Sequence, residues 1–187
     1  MQRILLLDNY DSFTYNLFHY MTAANVEVDV IDNDAIDLDS IQDYDKIVLS
    51  PGPGLPRNSG RLMEVIKRAD SKIPVLGVCL GMQAIAEYLD GELYNQNQVK
   101  HGVQEKIELG VSPLFEGLNE NIEVGLYHSW AIKQGKGDFQ IIATSMHHVP
   151  MAIQNEARMF YGVQFHPESI MTPEGKRIIE NFLHLDF

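Results

Sequence analysis

The chain has 187 residues and carries 26 acidic against 14 basic side chains, giving a formal net charge of −12 at pH 7. A chain this acidic lacks the basic face that would bind nucleic acids or anionic membranes, so neither is expected as a partner. The length suits one domain over residues 1–187, and the apolar run at residues 4–7 is too short for a signal or membrane segment. The single cysteine excludes an intramolecular disulfide and suits a reducing compartment. We therefore expect a soluble cytoplasmic protein.

The first half of the chain alternates apolar runs with amphipathic stretches. Strands are predicted at residues 3–7, 27–32, 46–49 and 75–78, and helices at residues 13–24, 61–69 and 80–89. Asp11 or Ser12 is a suitable cap for the first helix. The alternation predicts an α/β fold with a doubly wound, mostly parallel central sheet and flanking helices. Ligands of such sheets bind beyond the carboxyl ends of the strands, where Asp8, Ser50 and Cys79 lie.

The second half of the chain carries shorter β-like runs and one final helix. The runs lie at residues 91–94, 103–109, 122–127, 140–145, 152–154 and 160–165, and glycine-containing turns separate several of them. They predict a smaller antiparallel β portion. The last helix is predicted to run to about Leu183, with Thr172 as its cap and Pro173 at its first position.

Cys79 stands at a predicted corner between a strand and a helix, with Gly77 and Gly81 two positions to either side. This spacing is typical of a nucleophile elbow, where a side chain at either flank would crowd the neighbouring backbone. A thiol at a helix N-terminus also lies near unpaired N–H groups that favour the thiolate. Most lone cysteines are inert core thiols, so the assignment of a nucleophile depends on a matching base elsewhere.

That base is predicted at His166, at the end of the apolar stretch Gly162-Val-Gln-Phe-His-Pro-Glu168. Pro167 keeps the backbone extended, so that Glu168 falls on the same side as His166 and can orient its imidazole. A lone histidine is usually structural, but Cys79, His166 and Glu168 together match the nucleophile, base and orienting carboxylate of acyl transfer.

A stiff loop, Ser50-Pro-Gly-Pro-Gly54, follows the third predicted strand. Its glycines let the backbone approach a ligand closely, although a loop of this kind by itself is commonly an ordinary turn. A tetrahedral oxyanion needs two N–H donors, and the candidates are the amides of Leu80 and Gly54. No Lys-Ser/Thr pair follows the loop, so it does not match a phosphate loop.

These three motifs, in this order, resemble the class I glutamine amidotransferases. The segment Asp8-Asn-Tyr-Asp-Ser-Phe-Thr-Tyr-Asn-Leu17 narrows the resemblance to the glutaminase component of anthranilate synthase or aminodeoxychorismate synthase. The resemblance covers nearly the whole chain and implies the flavodoxin-like fold of that family. It implies that Cys79 attacks the carboxamide of L-glutamine, that His166 transfers the proton, and that a thioester is then hydrolysed to glutamate.

The resemblance also implies a substrate site, a partner and the absence of a cofactor in this subunit. Glutamine would be held by Gly52, Pro53, Gly54, Gln83, Ser129 and Trp130. No metal is expected in this chain, and Mg²⁺ is expected in the partner. A chain of this length has no room for a synthase domain, so the ammonia acceptor is expected on another polypeptide. The resemblance implies that this partner is a chorismate-using synthase subunit, which forms a heteromer with this chain.

Several residues depart from the family pattern. Many relatives carry Arg and Leu where this chain has Leu126 and Trp130, and Lys where it has Val103. His101 is expected to have a structural or interface role, and the pair His147-His148 lies without other ligands at metal-binding spacing.

Three functional alternatives remain open at the level of sequence. The first is a glutaminase subunit, with anthranilate favoured as the product over aminodeoxychorismate or service to both. The second is a stand-alone hydrolase of γ-glutamyl compounds that uses the same triad. The third is a binding module with a vestigial site, which the intact triad argues against.

Overall fold

The computed structural model describes all 187 residues and contains four α-helices and eleven strands. The helices are α1 (Thr14–Thr22), α2 (Leu62–Ala69), α3 (Leu80–Tyr88) and α4 (Gly175–His184). The strands are β1 (Arg3–Asp8), β2 (Glu27–Asp32), β3 (Lys46–Leu49), β4 (Val75–Val78), β5 (Leu93–Asn95), β6 (Val103–Leu109), β7 (Asn121–Leu126), β8 (Trp130–Ile132), β9 (Gln140–Ser145), β10 (Pro150–Asn155) and β11 (Phe160–Val163).

Nine of the strands form one mixed sheet in the order β2-β1-β3-β4-β11-β10-β9-β6-β7. The first five are mutually parallel, and the remaining four extend the same sheet in antiparallel fashion. Strands β5 and β8 form a separate two-stranded antiparallel sheet. The prediction of an α/β fold with a parallel core and an antiparallel portion is therefore confirmed.

The apolar runs form strands because both faces of the parallel sheet are covered. Ile4, Leu5, Leu6 and Leu7 of β1 are all fully buried. Successive side chains of a strand point to opposite faces, so Ile4 and Leu6 pack in one core while Leu5 and Leu7 pack in a second. A continuous apolar run is thus required in β1, where an alternating pattern would leave one core unfilled.

The start of α1 differs from the prediction. The helix begins at Thr14, and neither Asp11 nor Ser12 caps it. Asp11 Oδ1 instead accepts a hydrogen bond from the Phe13 N–H (2.8 Å) in the turn before the helix. Asp8 Oδ1 accepts from the hydroxyl of Thr14 (2.7 Å), which ties the first turn of α1 to the end of β1.

The start of α4 also differs, because its predicted cap is used elsewhere. The helix begins at Gly175, and the Thr172 hydroxyl donates to the carbonyl of His166 (2.7 Å) and accepts from the N–H of Gly125 (2.9 Å). The bond to Gly125 joins residues 47 positions apart in the sequence, so local pattern could not reveal it. Strand β8 was also missed, because its three residues are too few to show a period.

No helix of the structure has the length and hydropathy needed to span a membrane.

One buried cation stabilises the end of α4. Lys46 lies on β3 and is 3% exposed, and its ammonium donates to the carbonyls of Phe182 (2.9 Å), Leu183 (2.7 Å) and Leu185 (2.7 Å). The last carbonyls of a helix have no partner within the helix, and a cation there also complements the helix dipole. Lys46 therefore joins the C-terminal helix to β3 in the parallel part of the sheet.

We expect Lys46→Met to lower the free energy of unfolding by about 2–4 kcal/mol, because three buried carbonyls lose a charged donor. Urea titration monitored by circular dichroism would measure the change. Lys72→Met at an exposed position is the matched control and should change stability by less than about 0.5 kcal/mol. Equal stability of the two variants would contradict the role given to Lys46.

Candidate active site

Cys79 occupies a strained corner between β4 and α3. Its backbone has φ +51° and ψ −101°, a conformation that L-residues rarely adopt, and its N–H donates to the carbonyl of Val163 (2.8 Å). A Cβ at Gly77 would overlap the backbone of Gly81, and a Cβ at Gly81 would lie 2.6 Å from the carbonyl oxygen of Leu49. The tight turn proposed for the two glycines is therefore present, and it presents the thiol at the start of α3.

Strand pairing places His166 near the thiol. β11 lies parallel to β4, with Val163 paired to Val78, so the residues after β11 emerge beside the elbow. The Nδ1 atom of His166 lies 2.7 Å from Glu168 Oε1, and both residues are almost fully buried. A carboxylate only accepts hydrogen bonds, so Nδ1 carries the proton and Nε2 is the atom available to the thiol.

The surroundings of His166 favour the protonated form of its ring. Burial is the largest single influence and disfavours the imidazolium, but the proximity of Cys79 and the hydrogen bond and charge of Glu168 outweigh it. Together they raise the pKa of His166 to about 10. Such a ring is suited to accept a proton from the neighbouring thiol.

A second set of contacts fixes the backbone of His166. Its N–H donates to the carbonyl of Gly125 (3.0 Å), and Thr172 links His166 back to the Gly125 N–H. The rings of Tyr127 and Phe13 meet the imidazole edge-on, with centroid distances of 4.9 and 5.5 Å. The sequence did not predict a contact of any of these four residues with His166, since none belongs to the catalytic motifs.

A cavity of about 230 Å³ lies next to Cys79. It is lined by Gly52, Pro53, Gly54, Cys79, Gln83, Tyr127, His128, Ser129 and Trp130. The structure thus brings all six residues predicted to hold glutamine to one cavity with the predicted nucleophile. Tyr127 and His128 are additional members that the prediction did not include.

A second cavity of about 540 Å³ also reaches Cys79 and shares Gly52, Pro53 and Tyr127 with the smaller one. It is lined by Tyr10, Asp11, Ser12, Phe13, Pro51, Gly52, Pro53, Cys79, His101, Tyr127 and His166. His166 contributes to this cavity and not to the smaller one. His101 lies at its wall, with its ring 5.8 Å from that of Tyr127.

The loop predicted to supply an oxyanion donor is tied to the end of β1. The hydroxyl of Ser50 accepts from the N–H of Asn9 (2.8 Å), and the Asn9 side chain donates to the Ser50 carbonyl (2.8 Å). A Cβ at Gly52 would lie 2.6 Å from Asn9 and 2.8 Å from the side chain of Leu80, so the loop packs closely against the elbow. Gly54 has φ +76°, which favours glycine at that position.

The structure contains no group of three or more His, Cys, Asp or Glu side chains that could hold a metal ion. His147 lines a separate cavity of about 440 Å³, together with His128, Lys100 and Glu105.

Comparisons with known proteins give matches that cover nearly the whole chain. The family model for class I glutamine amidotransferases matches residues 5–185. Aminodeoxychorismate/anthranilate synthase component 2 of Bacillus subtilis is 40% identical over 184 residues, which cover 96% of this chain and 95% of that protein. Bifunctional protein TrpGD of Thermotoga maritima is 36% identical over 99% of this chain, which spans only 32% of that longer relative.

A solved structure has a similar fold. The crystal structure of a protein from Thermoplasma acidophilum, described as a candidate GMP synthase subunit, superposes with a TM-score of 0.88 at 26% identity. The superposition covers 98% of this chain and 92% of that one.

We expect Glu168→Gln to lower the pKa of His166, because the variant lacks the carboxylate that helps to stabilise the imidazolium. The folded-state pKa lies above the unfolded value of 6.5, so protonation of His166 stabilises the fold fully below pH 6.5. That contribution is lost as the pH rises toward about 10. NMR titration of the ring, with urea unfolding at several pH values, would measure both effects.

The stability difference between wild type and Glu168→Gln should therefore be largest near pH 6 and shrink toward pH 10. Glu64→Gln at an exposed position of α2 is the control and should leave the His166 titration unchanged. An unaltered His166 pKa in Glu168→Gln would show that the carboxylate does not set the charge of the ring.

Proposed function

This chain belongs to the class I glutamine amidotransferase family, and we propose that it is the glutaminase subunit of a chorismate-converting synthase. It hydrolyses L-glutamine to glutamate and passes the ammonia to a synthase subunit. The observation that carries the proposal is a cavity beside Cys79 lined by all six residues expected to hold glutamine, with the His166–Glu168 pair adjoining the sulfur.

The reaction uses two acyl-transfer steps. His166 Nε2 takes the proton of the Cys79 thiol, and the sulfur attacks the carboxamide carbon of glutamine. The tetrahedral intermediate collapses as His166 returns the proton to the leaving nitrogen, which releases ammonia and leaves a γ-glutamyl thioester. Water then attacks the thioester through a second tetrahedral intermediate, and glutamate leaves as the thiol is restored.

The remaining groups stabilise these intermediates. Glu168 holds Nδ1–H and stabilises the imidazolium each time that His166 carries the proton. The amides of Leu80 and Gly54 are the proposed oxyanion donors, since the first follows the nucleophile and the second lies on the loop packed against the elbow. The scheme needs only groups of this chain and water, and we assign Mg²⁺ to the synthase subunit.

The larger cavity is the proposed outlet for ammonia. His166 delivers the proton to the leaving nitrogen and lines that cavity, so ammonia forms on its side of the sulfur. Ammonia that reached bulk water would be protonated and would lose its nucleophilicity. We therefore place the docked synthase subunit over the rim that Tyr10, Asp11 and His101 contribute.

Anthranilate is the product that we propose first. The relative from Bacillus subtilis is named for both aminodeoxychorismate and anthranilate synthase, so a subunit shared by two synthases is the second candidate. Chorismate is converted on the partner, and for that reason the partner decides the product.

We expect Cys79→Ser to abolish glutamine-dependent synthesis by the complex, by a factor on the order of 10³ or more, because the less acidic hydroxyl is a poor nucleophile here. Synthesis with added ammonium chloride should continue at the wild-type rate, because the acceptor site lies on the partner. Product formation with either nitrogen source is the measurement. Undiminished use of glutamine by Cys79→Ser would remove Cys79 from the mechanism.

Reconstitution with each chorismate-using subunit of the same organism tests the pathway. With glutamine, Mg²⁺ and chorismate present, we expect anthranilate and stoichiometric glutamate from the anthranilate-forming pair. Aminodeoxychorismate from a second pairing would identify a shared subunit. Glutamate release at one constant rate, whichever partner is present, would instead indicate a stand-alone hydrolase.

A further inference from the structure

Cys79 has a second polar neighbour besides His166. Gln164 is completely buried, and its side-chain nitrogen Nε2 lies 3.5 Å from the Cys79 sulfur in hydrogen-bonding geometry. We propose that Gln164 is a catalytic residue that donates this hydrogen bond to the sulfur and stabilises its thiolate, with Gln83 as the residue that positions it. The inference deepens the proposed function and rests on Cys79 being the nucleophile.

A chain of hydrogen bonds fixes which end of the Gln164 amide faces the sulfur. Gln83 Nε2 donates both to the carbonyl of Trp130 (3.0 Å) and to Gln164 Oε1 (3.1 Å). A backbone carbonyl can only accept, so the nitrogen of Gln83 must face Trp130 and also Gln164. Gln164 therefore presents its oxygen to Gln83 and its nitrogen to Cys79.

The far end of this chain is anchored as well. His128 Nδ1 lies 2.8 Å from the same Trp130 carbonyl and donates to it, since that oxygen has no proton to give. Burial lowers the pKa of His128, which keeps its ring neutral near pH 7. The carbonyl thus has two donors, and the backbone that lines the smaller cavity is fixed to the amide beside the sulfur.

An amide donor gives the sulfur a hydrogen bond that stays constant during the reaction, which His166 does not. His166 loses its proton to the leaving nitrogen, so its support for the sulfur varies during the reaction. The amide of Gln164 does not titrate, and it donates equally when the thiolate attacks and when it departs from the thioester. In a buried site a hydrogen bond to a charged acceptor is stronger than one in water.

Alkylation by iodoacetamide tests the proposal directly, because Cys79 is the only cysteine of the chain. Mass spectrometry of the intact protein then reports the reaction of that sulfur alone. We expect Gln164→Leu to react about 10-fold more slowly at pH values below that of half-maximal rate, the effect of one hydrogen bond to a charged group. The pH of half-maximal rate should rise by about one unit. In the reconstituted complex, kcat for glutamine should fall while KM changes little.

Gln154→Leu is the matched control. Gln154 is likewise buried, and it bonds to Ser112, Gln140 and Glu156 in the antiparallel half of the sheet. It should lose stability comparably while keeping the wild-type alkylation profile. A wild-type rate and pH profile in folded Gln164→Leu would overturn the proposal.

Gln164→Glu keeps the shape of the side chain and replaces the donor with an acceptor. It is the variant to test if Gln164→Leu does not fold. Slower alkylation in Gln164→Glu supports the proposal, and an unchanged or faster rate overturns it. Alkylation requires neither glutamine nor a partner subunit. Failure of this inference is therefore distinguishable from failure of the proposed function, which Cys79→Ser tests.

Discussion

The parallel pairing of β4 with β11 is the constraint on which the site depends. Its register places Gly77 opposite Gly162 and Val78 opposite Val163, so the two strands end at the same level. Cys79 follows one strand and Gln164 the other, although 85 residues separate them in sequence. α3 crosses this pair closely, since a Cβ at Gly162 would lie 3.1 Å from the Cα of Met82. A slip of one residue would turn each catalytic side chain to the opposite face.

On the proposed function, the pairing also explains how an acidic chain supports an anionic intermediate. The chain has a net charge of −12, but the sulfur is surrounded by donors rather than by carboxylates. The Gln164 amide approaches from β11, and His166 from the turn beyond it. Glu168 contacts His166 and not the sulfur, so its charge acts on the imidazolium. Local placement of a few groups thus outweighs the overall charge, because short-range bonds in a buried site are weakly screened.

The sequence allowed a prediction of those parts of the site whose residues lie close together in the chain. The elbow, the His-Pro-Glu turn and the Pro-Gly loop each hold their defining residues within seven positions, and the alternation of strands and helices predicted the parallel sheet. Bonds between distant segments left no such pattern. Thr172 was predicted to cap α4, but its hydroxyl joins His166 to Gly125, which lies 47 residues before Thr172. Lys46 and α4 are a similar case, since nothing near Lys46 in the sequence indicates three carbonyl partners in the C-terminal segment.

The two cavities give the reaction a direction. The smaller one reaches Cys79 from the side of Gln83 and Trp130, and the larger one reaches it from the side of His166. On the proposed function, a carboxamide entering through the first presents its carbon to the sulfur, and His166, which protonates the leaving nitrogen, lies toward the second. On the proposed function, glutamate must leave by the way glutamine entered, because the thioester keeps its side chain in the smaller cavity. Ammonia is not attached to the enzyme at that stage, so it can leave through the larger cavity before water resolves the thioester.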